Sequence, residues 1–599
     1  MAIENEADLD ALVKRADAHF AARRMIDAAA CYRQVIAFQP RDAYALHRMG
    51  LVSVHLDDLD RARDYIEQAL QLAPARAELW EHAGILAALK GNHESALAFY
   101  YRAIRLSGST ASLHRNLGDC LRLAGRPTEA LYHYDQAIRI EPTLYHAVRS
   151  AACLSKELAE VQKAAGYWLH AWALGWSSLQ DGLAVVSALA EAGRDKELRQ
   201  ILRQIRERLT RDAEGLQSLA TVLNRNDRYA DALIVAKEGL AIAPEHGSLH
   251  YNAAHALCML GRVSESLTHC EEAARLLPES PPVQFRLATV QLALGNFEQG
   301  WKQYKWLYEM PDVNPPHPDF PEWQGEQVAG SHFLLVGEQG RGDEIQCVRF
   351  AAWLHNGGAI VDLLVSEPVA ALLARVPGVR SVFVTVPRGP YDYWCHMLRM
   401  PERMELDLNM LPIATNYLVA LPEKVCRWQS RIDAMMVDGL RQTSRRIGLV
   451  WAGSSIHPND RNRSIQLDAF RSMFALPGFT WFSLQKGEDE QASEAMEAEF
   501  DLYTLGPAIE DFDDTLAILQ SLDLLISVDT SVAHLAGAAG KPVWTLISVC
   551  NDWRWMKKRS DSPWYPSMRL FRQRELGEWA PVIAEVRNAL IEWCGETTA

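Results

Sequence analysis

Residues 84–142 read GILAALKGNHESALAFYYRAIRLSGSTASLHRNLGDCLRLAGRPTEALYHYDQAIRIEP. Gly84 returns as Gly118, Ala96 as Ala130 and Tyr100 as Tyr134, each 34 positions later, and Gly108 stands where Pro142 stands in the next unit. Extended both ways, the 34-residue step runs from Ala28 through Ala62, Ala96, Ala130, Ala164, Leu198, Ala232 and Ser266 to Gly300 without an insertion. A second register joins Ala16, Gly50, Gly84, Gly118, Ala152, Val186, Ala220, Ala254 and Ala288. A third places Pro40, Pro74, Pro142, Pro244 and Pro278 at the same phase. This pattern predicts two antiparallel helices per unit, in close approach where the first carries Gly or Ala and the second Ala. Proline ends the second helix by removing a donor and restricting the residue before it.

A helix–turn–helix unit of this length resembles the tetratricopeptide repeat, and nine units are expected across 9–312. Such an α-solenoid buries its core between neighbouring repeats and leaves a concave face for an extended polypeptide, so a protein partner is expected. Units over 145–212 keep the spacing and lose the proline, with WLHAWALGW at 168–176; packing between repeats is the expected role of those tryptophans.

The 599 residues carry a net charge of −15, 49% hydrophobic and 23% charged side chains. This balance excludes a disordered tail and argues against nucleic acid, which needs clustered Lys and Arg. The exception, RQILRQIRERLTR at 199–211, reads as a solvated helix face. Charges interrupt every apolar run well short of the ~20 residues that span a bilayer. The acidic start, MAIENEADLDALVKR, lacks the basic and apolar segments of a secretory signal, so a cytoplasmic location is expected. Ten scattered cysteines show neither C-x-x-C nor zinc-site spacing; reduced core residues and no metal are expected.

The helical period stops near 311, at PDVNPPHPDFPEWQG, and a proline-rich linker over 313–330 is expected. Then come HFLLVG (332–337), a helical pattern, AIVDLLVS (359–366) and SVFVTV (381–386), alternating strands and helices that predict a parallel α/β sheet. The alternation restarts with RIGLVWAGS (446–454), a helix near 468–475, FTWFSLQKG (479–487), DLLISVDTS (523–531), AHLAGAAG (533–540) and KPVWTLIS (541–548). Two Rossmann-like halves follow, 331–440 and 441–597, with a cleft at the carboxyl ends of their strands.

Four segments are placed to carry chemistry. Glu338-Gln339-Gly340-Arg341-Gly342-Asp343-Glu344 follows a strand and opens a helix, where Asp343 or Glu344 can take a proton from a hydroxyl or simply cap the helix. Asp529-Thr530-Ser531 and His534 stand at a second strand–helix turn, suited to a nucleotide phosphate and to sugar hydroxyls, or to a cap with an inward histidine. Arg461 and Arg463, with Lys486 after the next strand, can stabilise a departing phosphate or form a solvated basic loop. The Trp- and Arg-rich stretch 551–573 can stack a base or pack the closing segment.

The G-D at 342–343, and D-T-x-x-x-H followed by L-A-x-A-x-G-K-P-V at 529–543, resemble the heptosyltransferase-like GT-B glycosyltransferases. GWKQYKW, PEWQGEQVAG and EQGRGDE look like the group in which that domain follows tetratricopeptide repeats, and among these the bacterial flagellin glycosyltransferases are similar in length and order. The resemblance implies a metal-independent, inverting transferase without a cofactor. It moves a nonulosonic acid such as pseudaminic acid from a nucleotide-sugar, CMP-linked in preference to UDP-linked, to Ser or Thr of flagellin held by the repeats. It also implies Asp343 as catalytic aspartate, Asp529, Thr530 and His534 as donor-binding residues, and Arg463 as a phosphate contact. Ser531 replaces the glycine common in the family, which bears on how closely the sugar approaches the backbone. The alternatives are a UDP-sugar-dependent N-acetylglucosaminyltransferase and a catalytically inactive repeat scaffold or chaperone; lipopolysaccharide heptose transfer leaves the repeats without a purpose.

Overall fold

A computed structural model describes residues 6–175, 178–408, 411, 416–436, 444–457 and 459–595. It divides into two compact units, 1–210 and 211–599. A tetratricopeptide-like run of helical hairpins extends from Glu6–Ala21 to Phe297–Tyr304, six hairpins in the first unit and three in the second. The compact boundary therefore falls within the repeats, while the proline-rich segment lies inside the second unit. The expected domain edges at 440/441 and 597 lie outside the described residues, and no described helix is long and apolar enough to cross a membrane.

In three hairpins of the first unit the glycine of the first helix makes room for a large side chain. A Cβ on Gly84 would lie 2.5 Å from Tyr100 Cε1, one on Gly118 2.6 Å from Tyr134 Cε1, and one on Gly50 2.7 Å from Ile66 Cγ1. The alanine of the second helix is buried in each case, and the residue four positions after it fills the space above the glycine. Tyr134 is held by its hydroxyl donating to Asp119 at 2.7 Å. Before the prolines, Gln39, Ala73 and Glu141 end their helices with φ of −125°, −138° and −135°, outside the helical region that a following proline disfavours.

In the repeats that lack proline, Trp168 is buried and Trp172 Nε1 donates to Gln204 at 2.8 Å; Trp176 lies outside the described residues. The basic stretch lies largely on the helix Asp195–Arg208, which buries Leu198, Ile201, Leu202 and Ile205 and leaves Arg199, Arg203 and Arg208 exposed. The ten cysteines are free thiols.

The second unit joins its three hairpins to two parallel sheets. The first has strands β1 (His332–Val336), β2 (Ile360–Leu364), β3 (Val379–Phe383) and β4 (Tyr393–His396) in the order β3-β2-β1-β4. The second has β5 (Arg445–Val450), β6 (Phe479–Ser483), β7 (Leu502–Thr504), β8 (Leu524–Val528), β9 (Val543–Ile547) and β10 (Met568–Arg572) in the order β10-β9-β8-β5-β6-β7. Each order reverses once, between β1 and β4 and between β5 and β8. In open parallel sheets ligands bind at such reversals, outside the carboxyl ends of the strands. The last hairpin shares its core with the sheets: Trp301 packs edge-on against Trp553 at 4.9 Å, and Tyr308 stacks on His396 at 5.0 Å.

Two outcomes follow for the first unit. Gly118→Ala gains about 1 kcal/mol of helix propensity but forces a pinned, buried ring to move, at about 1–3 kcal/mol, so a net loss of stability is expected; equal or higher stability in urea denaturation contradicts this packing. His47 and His133 are buried beside His82 and His114, and burial lowers them from 6.5 to about 3 and about 4. Their neutral forms stabilise the fold fully above the unfolded value of 6.5, and that stability is lost as pH falls from there toward the folded values. Between pH 7 and 5 each removes about 2 kcal/mol. His133→Gln is expected to lose about that much less over the same interval; an unchanged pH dependence contradicts the assignment.

Candidate active site

The strand ends and the last three hairpins enclose a cleft of about 1790 Å³. It is lined from the repeats by Asn224, Tyr229, His255, Arg286 and Thr289 among others, and from the sheets by the turns after β1, β5, β6, β8 and β9. Every candidate residue named from the sequence lies on this one cavity: Asp343, Glu344, Arg461, Arg463, Lys486, Asp529, Thr530, Ser531 and His534.

Strand β1 ends at Val336, and the chain turns through Gly337, Glu338 and Gln339 (φ +60°) into the helix Arg341–Cys347, with Gly340 as its N-cap. Asp343 closes that cap, its Oδ2 accepting from Gly340 N at 3.0 Å. Its Oδ1 accepts from Arg554 Nη2. Burial raises the Asp343 carboxyl above its usual range while Arg554 opposes the rise. It is therefore a stronger base than an exposed aspartate yet still has a cation beside it. Glu344 is used differently. Its Oε1 accepts from Ser366 N at 2.8 Å and its Oε2 from the Ser366 hydroxyl, so the side chain ties down the start of the helix Glu367–Leu373.

Gly342 is required by proximity: a Cβ there would lie 2.9 Å from His534 Cδ2. The helix carrying Asp343 thus passes directly over the helix Ser531–Ala538 of the other sheet, whose N-cap is Thr530. His534 is buried, its Nδ1 2.9 Å from the Tyr565 hydroxyl and its ring beside Trp555, and burial followed by Arg554 holds it neutral. Asp529 is raised by burial, with the neighbouring Trp555 indole and then Arg554 and Arg463 acting against the rise.

Arg463 Nη1 donates to the Asp529 carbonyl at 3.0 Å and its Nε to Asp460 at 3.2 Å, which sets a fixed guanidinium at the carboxyl end of β8. Gly453 permits this, since a Cβ there would meet Arg463 Nη2 at 2.5 Å. Arg461 instead reaches the repeats and pairs with Asp227. Lys486 Nζ donates to the Gly506 carbonyl and pairs with Glu490, both at 2.9 Å.

The stretch 551–573 corrects the base-stacking alternative. Trp553, Trp555 and Trp564 are buried in the core, and 568–572 forms strand β10, so these rings offer no free face to a base. To the cleft the stretch delivers Asn551, Asp552, the edge of Trp553, Lys557 and Arg554; Arg554, 9% exposed at its side chain, bonds Asp343, Asp552 at 2.8 Å and Gln346 at 2.8 Å and lies over the Trp553 ring. Glu338 opens the first candidate segment, but the sequence did not single it out from Asp343 and Glu344. It is 7% exposed, and its Oε1 accepts from the Tyr308 hydroxyl at 2.8 Å and from Leu398 N at 3.0 Å. Burial pushes its carboxyl up to about 7, and its Oε2 is buried without a partner. The only signal available was its place directly after an apolar strand. Among the described residues, no three His, Cys, Asp or Glu side chains are grouped to hold a metal ion.

Removing the Arg554 charge leaves buried carboxylates uncompensated, so Arg554→Gln is expected to destabilise the protein by about 3 kcal/mol. Adding Asp343→Asn is expected to recover part of that loss, because one orphaned charge disappears. Calorimetric unfolding of the two variants checks this, and strictly additive losses contradict the pairing.

The tetratricopeptide repeat family matches residues 43–76 and 75–142. Protein FlbA of Caulobacter vibrioides is 25% identical over 435 residues, spanning 67% of this chain and 71% of its own length. That share exceeds the stretch Glu6–Tyr304, so the similarity extends into the region of parallel sheets. The TPR repeat-containing thioredoxin TTL4 of Arabidopsis thaliana is 31% identical over 127 residues, 21% of this chain and 18% of its own. Among solved structures, the C-terminal part of a TPR repeat-containing protein from Cytophaga hutchinsonii covers 40% of this chain and 98% of its own at 16% identity and a TM-score of 0.35. PilF of Pseudomonas aeruginosa covers 33% and 90% at 15% identity and a TM-score of 0.30.

Proposed function

We propose that the chain is a repeat-fused GT-B protein O-glycosyltransferase that moves a sugar from a nucleotide-sugar to Ser or Thr of a protein held by the repeats. The observation that carries this reading is the shared cleft: the last three hairpins form one wall, strand ends of both sheets form the other, and Asp343 lies between. A polypeptide lying on the repeats reaches the strand-end chemistry without leaving that surface. The resemblance in the G-D and D-T-x-x-x-H motifs supports the glycosyl donor, and the similarity to FlbA supports the joint architecture.

In this mechanism the Asp343 carboxylate takes the proton of the acceptor hydroxyl. The hydroxyl oxygen bonds to the anomeric carbon as the bond from that carbon to the phosphate oxygen breaks. Arg463 and the amides at the start of the helix Ser531–Ala538 stabilise the departing phosphate. The donor itself supplies the leaving group, so the reading calls on neither cofactor nor metal. His534, neutral and fixed by Tyr565, is suited to a hydrogen bond with a donor hydroxyl. Flagellin as acceptor, a CMP-linked nonulosonic acid as donor and a cytoplasmic location follow from sequence and resemblance.

Asp343→Asn is expected to slow transfer by about 10²–10⁴-fold while acceptor binding persists. The check is the intact mass of flagellin from cells carrying the normal gene, a deletion and the variant. A sugar-sized increment found with the normal gene alone supports the assignment and names the sugar; identical masses in all three contradict flagellin as acceptor.

A further inference from the structure

The cations on the cleft are not equivalent. Arg461, Arg463, Lys486 and Arg554 each have a carboxylate partner, and Arg225 and Arg341 are exposed. Arg286 and Lys557 also line the cleft, are partly withdrawn from solvent, and have no carboxylate within ion-pair distance among the described residues. Arg286 stands on the helix Pro281–Leu294, the first helix of the last hairpin. Its Nη2 donates to His255 Nδ1 at 3.0 Å, and its Nε is buried with no acceptor. His255, lowered to about 3 by burial and then by Arg286, stays neutral and supplies no compensating charge. Lys557 Nζ donates to the Val549 carbonyl at 2.5 Å. Both cations line the same cleft, as does Cys258 of the preceding hairpin. Burial lowers Lys557 to about 8, with Arg572 adding to the fall, the response of an ammonium lacking a counter-ion. Arginine has no such escape, because its guanidinium stays charged.

We infer that Arg286, on the repeat wall of the cleft, and Lys557, from the segment between β9 and β10, provide a second anion position that takes a carboxylate of the bound substrate. The inference rests on the glycosyltransferase reading for the identity of that substrate. The phosphate has its own position at Arg463 and Ser531, so the carboxylate comes from one of two sources. It is either the acid group of the donor sugar or an acidic side chain beside the acceptor hydroxyl. The Arg286 guanidinium, its Nε unpaired, offers a charged donor to a carboxylate, and Lys557 adds a second positive charge on the same cleft.

Calorimetric titration of the full-length chain separates these. The ligands are CMP, CMP-N-acetylneuraminic acid, UDP-N-acetylglucosamine, and two peptides with a central serine flanked by glutamates or by glutamines. If the sugar supplies the carboxylate, Arg286→Gln/Lys557→Gln weakens CMP-N-acetylneuraminic acid by about 10- to 100-fold and leaves CMP unaffected. If the acceptor supplies it, the nucleotide-sugar is unaffected and the preference for the glutamate peptide disappears. Arg286→Lys retains part of either preference, and retained CMP affinity shows that the cleft is folded. The inference is overturned if the double variant binds both carboxylate ligands as the normal protein does, or if the normal protein prefers neither over its neutral counterpart. Failure of the normal protein to bind any nucleotide or nucleotide-sugar counts against the glycosyltransferase reading instead, and the peptide pair then decides the anion position alone.

Discussion

The buried guanidinium of Arg554 is the constraint on which the cleft depends. Removing a charge from water costs several kcal/mol, and only well-placed partners offset it. Here the partners are Asp343 and Gln346 from the helix after β1 and Asp552 from the turn after β9, with the Trp553 ring beneath. One side chain thus fixes the carboxylate proposed to act as base and ties together the two sheets. Three aspartates, 343, 529 and 552, raise one another by proximity and burial, and Arg554 is the charge that lowers each of them.

The same turn explains why the last hairpin belongs with the sheets. A solenoid needs a polar outer face on its terminal repeat, or the stacking surface stays exposed. Here Phe297, Trp301, Tyr304 and Leu307 make that end strongly apolar, and Trp553 with the segment around it covers them. Tyr308 continues the contact by donating to Glu338, and Gln339 donates to the Tyr304 hydroxyl at 3.2 Å. The end of the repeats is consequently built into the turn that carries Asp343.

Legibility followed the range of the interaction. The 34-residue period, the proline stops and the apolar strands β1, β2, β5, β6, β8 and β9 are local patterns, and the polar residues closing those strands were found for the same reason. Strands β4, β7 and β10 escaped because three to five residues, interrupted by polar or charged side chains in β7 and β10, make too short a run to distinguish from a loop; β3, also at an edge, was legible through SVFVTV. The glycine positions were legible as small, but the side chain each accommodates was not: Tyr100 and Tyr134 differ from Ile66 in nothing the period records.

By itself, then, the sequence determined the repeat solenoid, the change to alternating strands and helices near 331, and the strand-end residues that line the cleft. Only the tertiary structure decided which of them are engaged and with whom. Asp343 and Arg554 are 211 positions apart, and Arg461 and Asp227 are 234 apart. Burial and ion pairing of this kind depend on where the chain crosses itself, a property that no local periodicity contains. Glu344 and Asp343 are neighbours of similar chemistry in the sequence. The fold turns one toward Ser366 and the other toward Arg554, and that difference in direction separates a structural carboxylate from a candidate base.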